Sequence, residues 1–380
     1  MHRIRETVSQ IWSMIQGCLF PNLEEEVGPL TESHQKVVQV LEMVRIEEFI
    51  PSQKGLPHRQ AEDRGAIARS FVAKAVLNLP TTEALLDRLC SDPVLRRLCG
   101  WESRSDIPSK STFSRTLAYF AEISLVSRVH EALVVEHAGD EIIGHISRDA
   151  TAIEGREKPA KKEPKAQKPK RKRGRRKKGE EAPPPDPTRL ERQVKMTLPQ
   201  MLDDLPKVCD IGCKRNSKGS TDYWIGYKLH LDVADGQIPV SAILTSASLH
   251  DSQVALPLAL QTSQRVTNLY DLMDSAFDSP IIRHYSEALG HVPLIDRNFK
   301  RDTAGKSEQE AERKRFAFLH FSLPEDERFK ERSTAERVNA RLKDEFGGRF
   351  VRVRGHAKVL THLMFGVLAL TADQLLRLVA

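Results

Sequence analysis

Over the first 136 residues, hydrophobic positions recur every three or four places, the spacing of helices with one buried face. Ile11, Met14 and Ile15 form one such patch, and Lys36 to Ile50 (KVVQVLEMVRIEEFI) a longer one. Pro51 and Pro57 bracket a break. Ile67, Phe71, Ala75 and Val76 make a single apolar stripe. Thr81 to Cys90 starts after Pro80 with Glu83 close behind, a capped beginning. Ser91 to Gly100 reads as a helix ended by Gly100, and Phe113 to about Ile123 as one entered through Pro108, Ser109 and Thr112. The pattern predicts an all-helical N-terminal region over about 1–136.

From Glu141 the period changes. Glu141 to Thr151 (EIIGHISRDAT) reads as a strand carrying Asp149. Tyr223 to Val233 and Pro239 to Ser246 alternate as strands around Asp235-Gly236, a hairpin signal. Asp251 to Val266 reads as a helix with Asp251 or Ser252 near its cap. Asn268 to Asp278 (NLYDLMDSAFD) reads as a strand ending at Asp274, with Asp278 as the cap of a helix over Pro280 to Leu289. Gly290 closes that helix, and His291 to Ile295 is the next strand. The most apolar stretch, Val359 to Ala372, is too short to span a bilayer and reads as a buried helix. The fold class is α/β, a mixed sheet with flanking helices behind a helical region. No membrane partner is expected.

Charge sharpens this picture. The net charge of +7 hides an asymmetry: Lys158 to Lys178 holds 13 Lys and Arg against one Glu, so the rest of the chain carries −5. This stretch and the Pro183-Pro-Pro-Asp-Pro187 run that follows form a basic, Pro-rich insertion at about 155–222, interrupting the strand order. Its first half is expected to be disordered, a flexible arm whose Arg171, Arg173, Arg175 and Arg176 lie on DNA. A tolerated, solubilising surface insertion is the plainer alternative. Five scattered cysteines make no disulfide framework, and reduced thiols in a cytoplasmic protein are expected. Cys209 and Cys213 are half of a zinc site at most, because no second Cys or His pair follows at finger spacing.

The candidate chemistry sits on one stripe. At about 100° per residue, Phe329, Arg332, Glu336, Asn339 and Lys343 share a helix face. A carboxylate flanked by two cations can hold a divalent metal and the phosphates on which it acts. A surface ion pair between Arg332 and Glu336 is the plainer reading. His230, His250 and His291 lie in or beside apolar strands and read as structural, as do Asp251 and Asp296. Ser109, Lys110, Ser111, Thr112 and Arg115 offer hydroxyl and cationic donors at a helix start, as a phosphate site does and as an ordinary cap does.

Phe329-x2-Arg332-x3-Glu336-x6-Lys343 resembles the Tyr-x2-Arg-x3-Glu-x6-Lys signature around the last acid of bacterial insertion-sequence transposases of the DDE type, with Phe in place of Tyr. Asp274-Ser-Ala-Phe-Asp278 resembles the motif around the family's second acid. Gly226-Tyr-Lys-Leu-His230, His250-Asp251-Ser252 and Gly290-His-Val-Pro-Leu-Ile-Asp-Arg-Asn298 are similar to family text. Leu95 to Trp101 and Pro108 to Arg115 resemble the helical N-terminal region that helps bind transposon ends.

The resemblance implies an RNase H-like catalytic domain over 137–380, interrupted by the insertion, with Asp149, Asp274 and Glu336 as catalytic, metal-holding acids. Two Mg²⁺ ions are implied, with Mn²⁺ as a substitute; Asp149 is expected to bridge both, and Asp274 and Glu336 to hold mainly one each. Arg332, Asn339, Lys343, Lys110 and Arg115 are expected at the DNA, and a homodimer or higher oligomer is expected to pair two transposon ends. The expected location is bacterial cytoplasm, at the nucleoid. A transposase-derived DNA-binding protein without catalysis and an RNase H-like nuclease share these residues and stay as alternatives.

Overall fold

A single long strand organises the sheet. This strand, β1 (Ile142–Glu154), pairs antiparallel with β3 (Thr221–Ala234) on one side and parallel with β5 (Thr267–Met273) on the other. β4 (Ile238–Ser246) runs antiparallel along the C-terminal half of β3, and β2 (Asp210–Arg215) along its N-terminal half. β6 (Val292–Ile295) extends the sheet parallel to β5. The structure, a computed structural model, describes residues 2–51, 63–161, 186–215, 219–299 and 303–379. Arg171, Arg173, Arg175 and Arg176 lie outside the described residues.

Three antiparallel strands, a helix, a parallel strand, a helix and a last parallel strand follow in the order expected of an RNase H-like fold. Ahead of the sheet come α1 (Glu32–Val44), α2 (Arg64–Val76), α3 (Lys110–Glu122) and α4 (Leu125–Ala138). α5 (Ala255–Ser263) and α6 (Pro280–Ala288) connect the parallel strands. α7 (Ser333–Asp344) lies against β1, and α8 (His356–Arg377) runs through the centre.

α8 explains why helices and sheet form one body. It packs on α1, α2, α3, α4 and β4, and one continuous apolar core includes Val37, Phe71, Phe113, Leu133, Leu231, Leu342 and Leu368. Phe365 meets Phe71 with ring centroids 5.4 Å apart. α8 is the one helix among the described residues long and apolar enough to cross a membrane, but 89% of its most apolar window is buried inside the protein. Its sequence is apolar all round because protein surrounds it.

Several local expectations need correcting. The second half of the 155–222 insertion belongs to the fold: short helices at Arg189–Gln193 and Leu198–Asp204 lead into β2. Met201 is buried among Met273, Phe277 and Ile282, and Leu205 beside Ile243 and Leu258, so tertiary burial holds helices too short to stand alone. The α6 cap position is Ser279; Asp278 instead accepts from the Asn298 backbone N–H (2.9 Å) and the Arg283 guanidinium (3.0 Å). The helix after β4 opens as a 3₁₀ turn at Asp251–Val254, with His250 accepting from Ser252 N–H. The stripe from Phe329 to Lys343 is broken, because a helix at Pro324–Phe329 passes through a 3₁₀ turn at Lys330–Arg332 before α7 begins.

The histidines carry a testable consequence. Burial pushes His230 down to about 4, and His130 and His362 to about 3. The unfolded chain takes up these protons near 6.5, whereas the folded chain refuses them until the pH is much lower, so protons favour unfolding in between. Stability should fall as pH drops from about 6.5 to 5, by up to about 1.4 kcal/mol per histidine per pH unit. Urea midpoints at pH 8, 6.5 and 5 check this; a midpoint that does not fall between 6.5 and 5 contradicts it.

Candidate active site at the ends of β1 and β5

The parallel pairing of β1 and β5 ends with Ser147 opposite Leu272. Two residues further along each chain stand Asp149, still within β1, and Asp274, just past the end of β5 at Met273. Strand alternation puts Ser147 and Asp149 on one face and Arg148 on the other. Ser147 Oγ donates to the Arg332 carbonyl at 2.6 Å, holding the entrance of α7 against β1. Asn339, one helical turn and a half inside α7, donates from Nδ2 to Asp149 Oδ2 at 3.0 Å.

Both aspartates hold their protons more tightly than usual. Burial is the main cause at Asp149, and the Glu336 carboxylate adds to it; the Ala150 N–H, the Lys214 ammonium and Asn339 oppose. Burial again leads at Asp274, with the like charge of Asp251 added; the Ala276 N–H, Arg332 and Lys214 oppose. Asp274 also closes its own turn, accepting from Ala276 N–H at 2.9 Å. Asp251 is neutralised locally by Lys228 Nζ at 2.8 Å, so the Gly226–His230 and His250–Ser252 segments meet through this ion pair.

Glu336 stands apart from the two aspartates. Its side chain is 54% exposed and pairs with Arg332 Nη2 at 2.9 Å. Among the described residues no three His, Cys, Asp or Glu side chains are gathered closely enough to hold a metal ion. The sequence-predicted acids are therefore brought to one end of the sheet, with Glu336 turned towards Arg332.

The other expected residues divide. Lys343 is partly buried, its proton affinity lowered by that burial and by Arg349 and Lys214. Asn339, expected at DNA, is 5% exposed and engaged with Asp149; its Oδ1 is buried with no hydrogen-bond partner. Lys110 pairs with Glu83, and Arg115 reaches Thr112 Oγ1 at 3.3 Å. Ser109 caps α3 and touches Ser111 and Thr112, so those hydroxyls serve the helix start. Cys209 is buried and Cys213 exposed. His230 bonds Thr245 Oγ1 (2.9 Å) and His291 faces Asp271 (3.2 Å), both inside the structure. Lys214 was not singled out in the sequence; it is one cation among many there, and only the fold brings it to the acids.

Comparison with protein families gives two matches: the Transposase DDE domain over residues 207–372 and the Transposase domain (DUF772) over residues 24–118. The chain belongs to the insertion-sequence DDE transposases. The comparisons with curated proteins and with solved structures find no match. The two matched spans include Asp274 and Glu336 of the transposase but stop short of Asp149 on either side. Asp149 is brought into consideration by its place at the same end of the β1–β5 pair as Asp274 and by its bond to Asn339.

Proposed function

We propose that this transposase binds the terminal inverted repeats of its element, nicks the DNA at their ends and joins the freed 3′-hydroxyls to target DNA, with Asp149, Asp274 and Glu336 as its catalytic acids. The observation that carries the reading is that Asp149 and Asp274 come at the same end of the parallel pair β1 and β5, with Asp149 bonded to Asn339 of α7, the helix bearing Glu336. The donor chemistry suits a hard divalent cation, which takes oxygen ligands. Two half-buried carboxylates with raised proton affinity make no ion pair among the described residues, and Asn339, which bonds one of them, has an orphaned Oδ1. Asp149, Asp274 and Glu336 would hold Mg²⁺, which when bound would supply charge stabilisation at the attacking and leaving oxygens of the phosphodiester. Glu336 must leave Arg332 to join that set.

The chain's own residues do the rest. Asn339 fixes the orientation of Asp149. Ser147 fixes the start of α7, and with it the position of Arg332. Arg332 and Lys343 are the cations available to DNA phosphates on either side of Glu336. The test is cleavage and strand joining by the full chain with Mg²⁺, offered a duplex with the element's own end, a scrambled duplex and an RNA–DNA hybrid. End-specific nicking followed by joining supports the reading. Preference for the hybrid moves the assignment to a nuclease, and end binding without cleavage to a DNA-binding protein.

A further inference from the structure

One buried charge in the helical region has no protein group to answer it. Lys74, in the last turn of α2, is only 7% exposed, and its ammonium makes no hydrogen bond or ion pair among the described residues. Burial alone lowers its proton affinity, to about 8, so it still carries its proton at neutral pH. A lysine usually carries its ammonium out to water along an apolar stem. Lys74 instead lines a pocket walled by the rings of Phe71, Phe346 and Phe365. An ammonium taken out of water without a partner is costly, and an anion that enters the pocket recovers that cost.

The other walls suit an anion as well. A ten-residue helix, Thr82–Ser91, begins at this pocket, and both its cap Thr81 and Thr82 line it. Thr81 Oγ1 accepts from Ala84 N–H at 3.0 Å, while the N–H groups of Thr82 and Glu83 make no hydrogen bond among the described residues. A helix start with open N–H groups carries partial positive charge. Glu83, the acid of that turn, is exposed and pairs with Lys110, so it does not serve Lys74. Arg352 stands at the rim, exposed and without an ion pair among the described residues. The walls are tied together: Asn78 Nδ2 donates to the Asp344 carbonyl at 2.7 Å, and His362 Nε2 bonds the Gly347 carbonyl at 3.2 Å. The space within is small, about 30 Å³, or room for about two waters.

We propose that this pocket is a binding site for one small oxyanion of the phosphate class, held by the Lys74 ammonium from within, by the start of the Thr82–Ser91 helix at the side and by the Arg352 guanidinium at the rim. A backbone phosphodiester, with a sugar on each side, is too bulky for so narrow a space. A free ion and the terminal phosphate of a polynucleotide offer the same chemistry, with outer oxygens left at the mouth. The site shares no residue with the acids and does not depend on their chemistry. Its occupant joins α2 and the Thr82–Ser91 helix to the 346–353 segment that follows α7, and so braces the helical region against the end of the helix bearing Glu336.

The test measures thermal unfolding and calorimetric binding of the full chain, wild type, Lys74→Met and Arg352→Ala, in a sulfate series and in chloride at matched ionic strength. Sulfate is expected to raise the wild-type midpoint beyond chloride and to saturate, as a ligand of the folded state does. Lys74→Met keeps the stem and removes the buried charge, so without sulfate it should unfold no earlier than wild type, and its sulfate affinity should fall at least about tenfold. Arg352→Ala, at the exposed rim, should weaken sulfate about threefold. A wild-type midpoint that sulfate raises no more than chloride does overturns the site, and so does a sulfate response that Lys74→Met retains in full. Should Lys74→Met not fold, Arg352→Ala decides: unchanged sulfate affinity overturns the site. A last arm offers one oligonucleotide with a 5′-phosphate and with a 5′-hydroxyl. Tighter, sulfate-competed binding of the phosphorylated form assigns the site to a polynucleotide end, and equal binding assigns it to the free ion.

Discussion

Asp149→Ala is expected to abolish Mg²⁺-dependent nicking of end DNA while leaving end binding in place. Losing a carboxylate that holds the divalent ion removes several kcal/mol of charge stabilisation, which corresponds to a rate loss on the order of 10³ or more. Asp149→Asn should be as damaging, because it keeps the shape that Asn339 binds and removes only the charge. Asp274→Ala and Glu336→Ala should match it. Asp251→Asn is the informative contrast: Asp251 is also an acid near Asp274, but Lys228 already neutralises it, so its replacement should cost far less nicking. Single-turnover cleavage beside a binding assay checks all five. Asp149→Ala cutting at the wild-type rate would remove Asp149 from the site. Asp149 is the acid for which this matters most, since neither family match reaches it.

The largest expected loss of stability lies one residue away and on the other face of β1. Arg148 is buried with Asp232 of β3 in a two-pronged ion pair, Nε to Oδ1 and Nη2 to Oδ2, both 2.7 Å. Thr262 of α5 donates to the same carboxylate at 2.7 Å, so strand, strand and helix converge on one charge. Arg148→Ala leaves Asp232 buried without a counter-charge, and a buried pair broken on one side costs about 3–5 kcal/mol. Replacing both partners, Arg148→Met with Asp232→Leu, should recover most of that loss, because a buried pair contributes little over well-packed apolar groups. Denaturant unfolding of the single and double variants decides it. A single variant within about 0.5 kcal/mol of wild type would mean the pair does not hold β1. Since Asp149 follows Arg148 directly, loosening this pair should also misplace the acid.

Much of this was legible in the sequence because it depends on local period and on a spaced motif. The strands around Asp149 and Asp274 and the α6 and α8 segments carry enough apolar positions to declare themselves, and the helix bearing Glu336 is marked by its spaced charged motif. The parallel and antiparallel arrangement of the strands was implied by the family resemblance, with which the order of elements agrees. What stayed hidden depends on tertiary partners. β2 exposes Ile211 and Cys213 on one face, and on the other carries exposed Lys214 and buried Gly212, which has no side chain, so no apolar stripe reveals it. The short helices at 189–204 are recognisable only once Met201 and Leu205 have a core to enter. Asp278 has the sequence of a cap, yet Arg283 and the Asn298 backbone compete for it. Asn339 looks like another polar residue on a cationic stripe until Asp149, far away in sequence, takes its amide.

α7 is also tied backwards, into the helices at the other end of the chain. Arg341 donates to Asp373 of α8 at 2.6 Å, and Asp373 receives Lys36 of α1 at 3.3 Å. Gly366 of α8 lets the backbone at Phe346 approach closely. α1 and α2 pack on each other and on α3 and α4, but the part of their apolar faces that meets α8 stays uncovered until the ribosome has delivered residues beyond 356. Folding from such distant contacts is slow, and a half-made chain presents sticky helices to its neighbours. A shortened product lacking α8 is therefore expected to expose part of the helical region's core and to be cleared by chaperones and proteases more readily than the full chain.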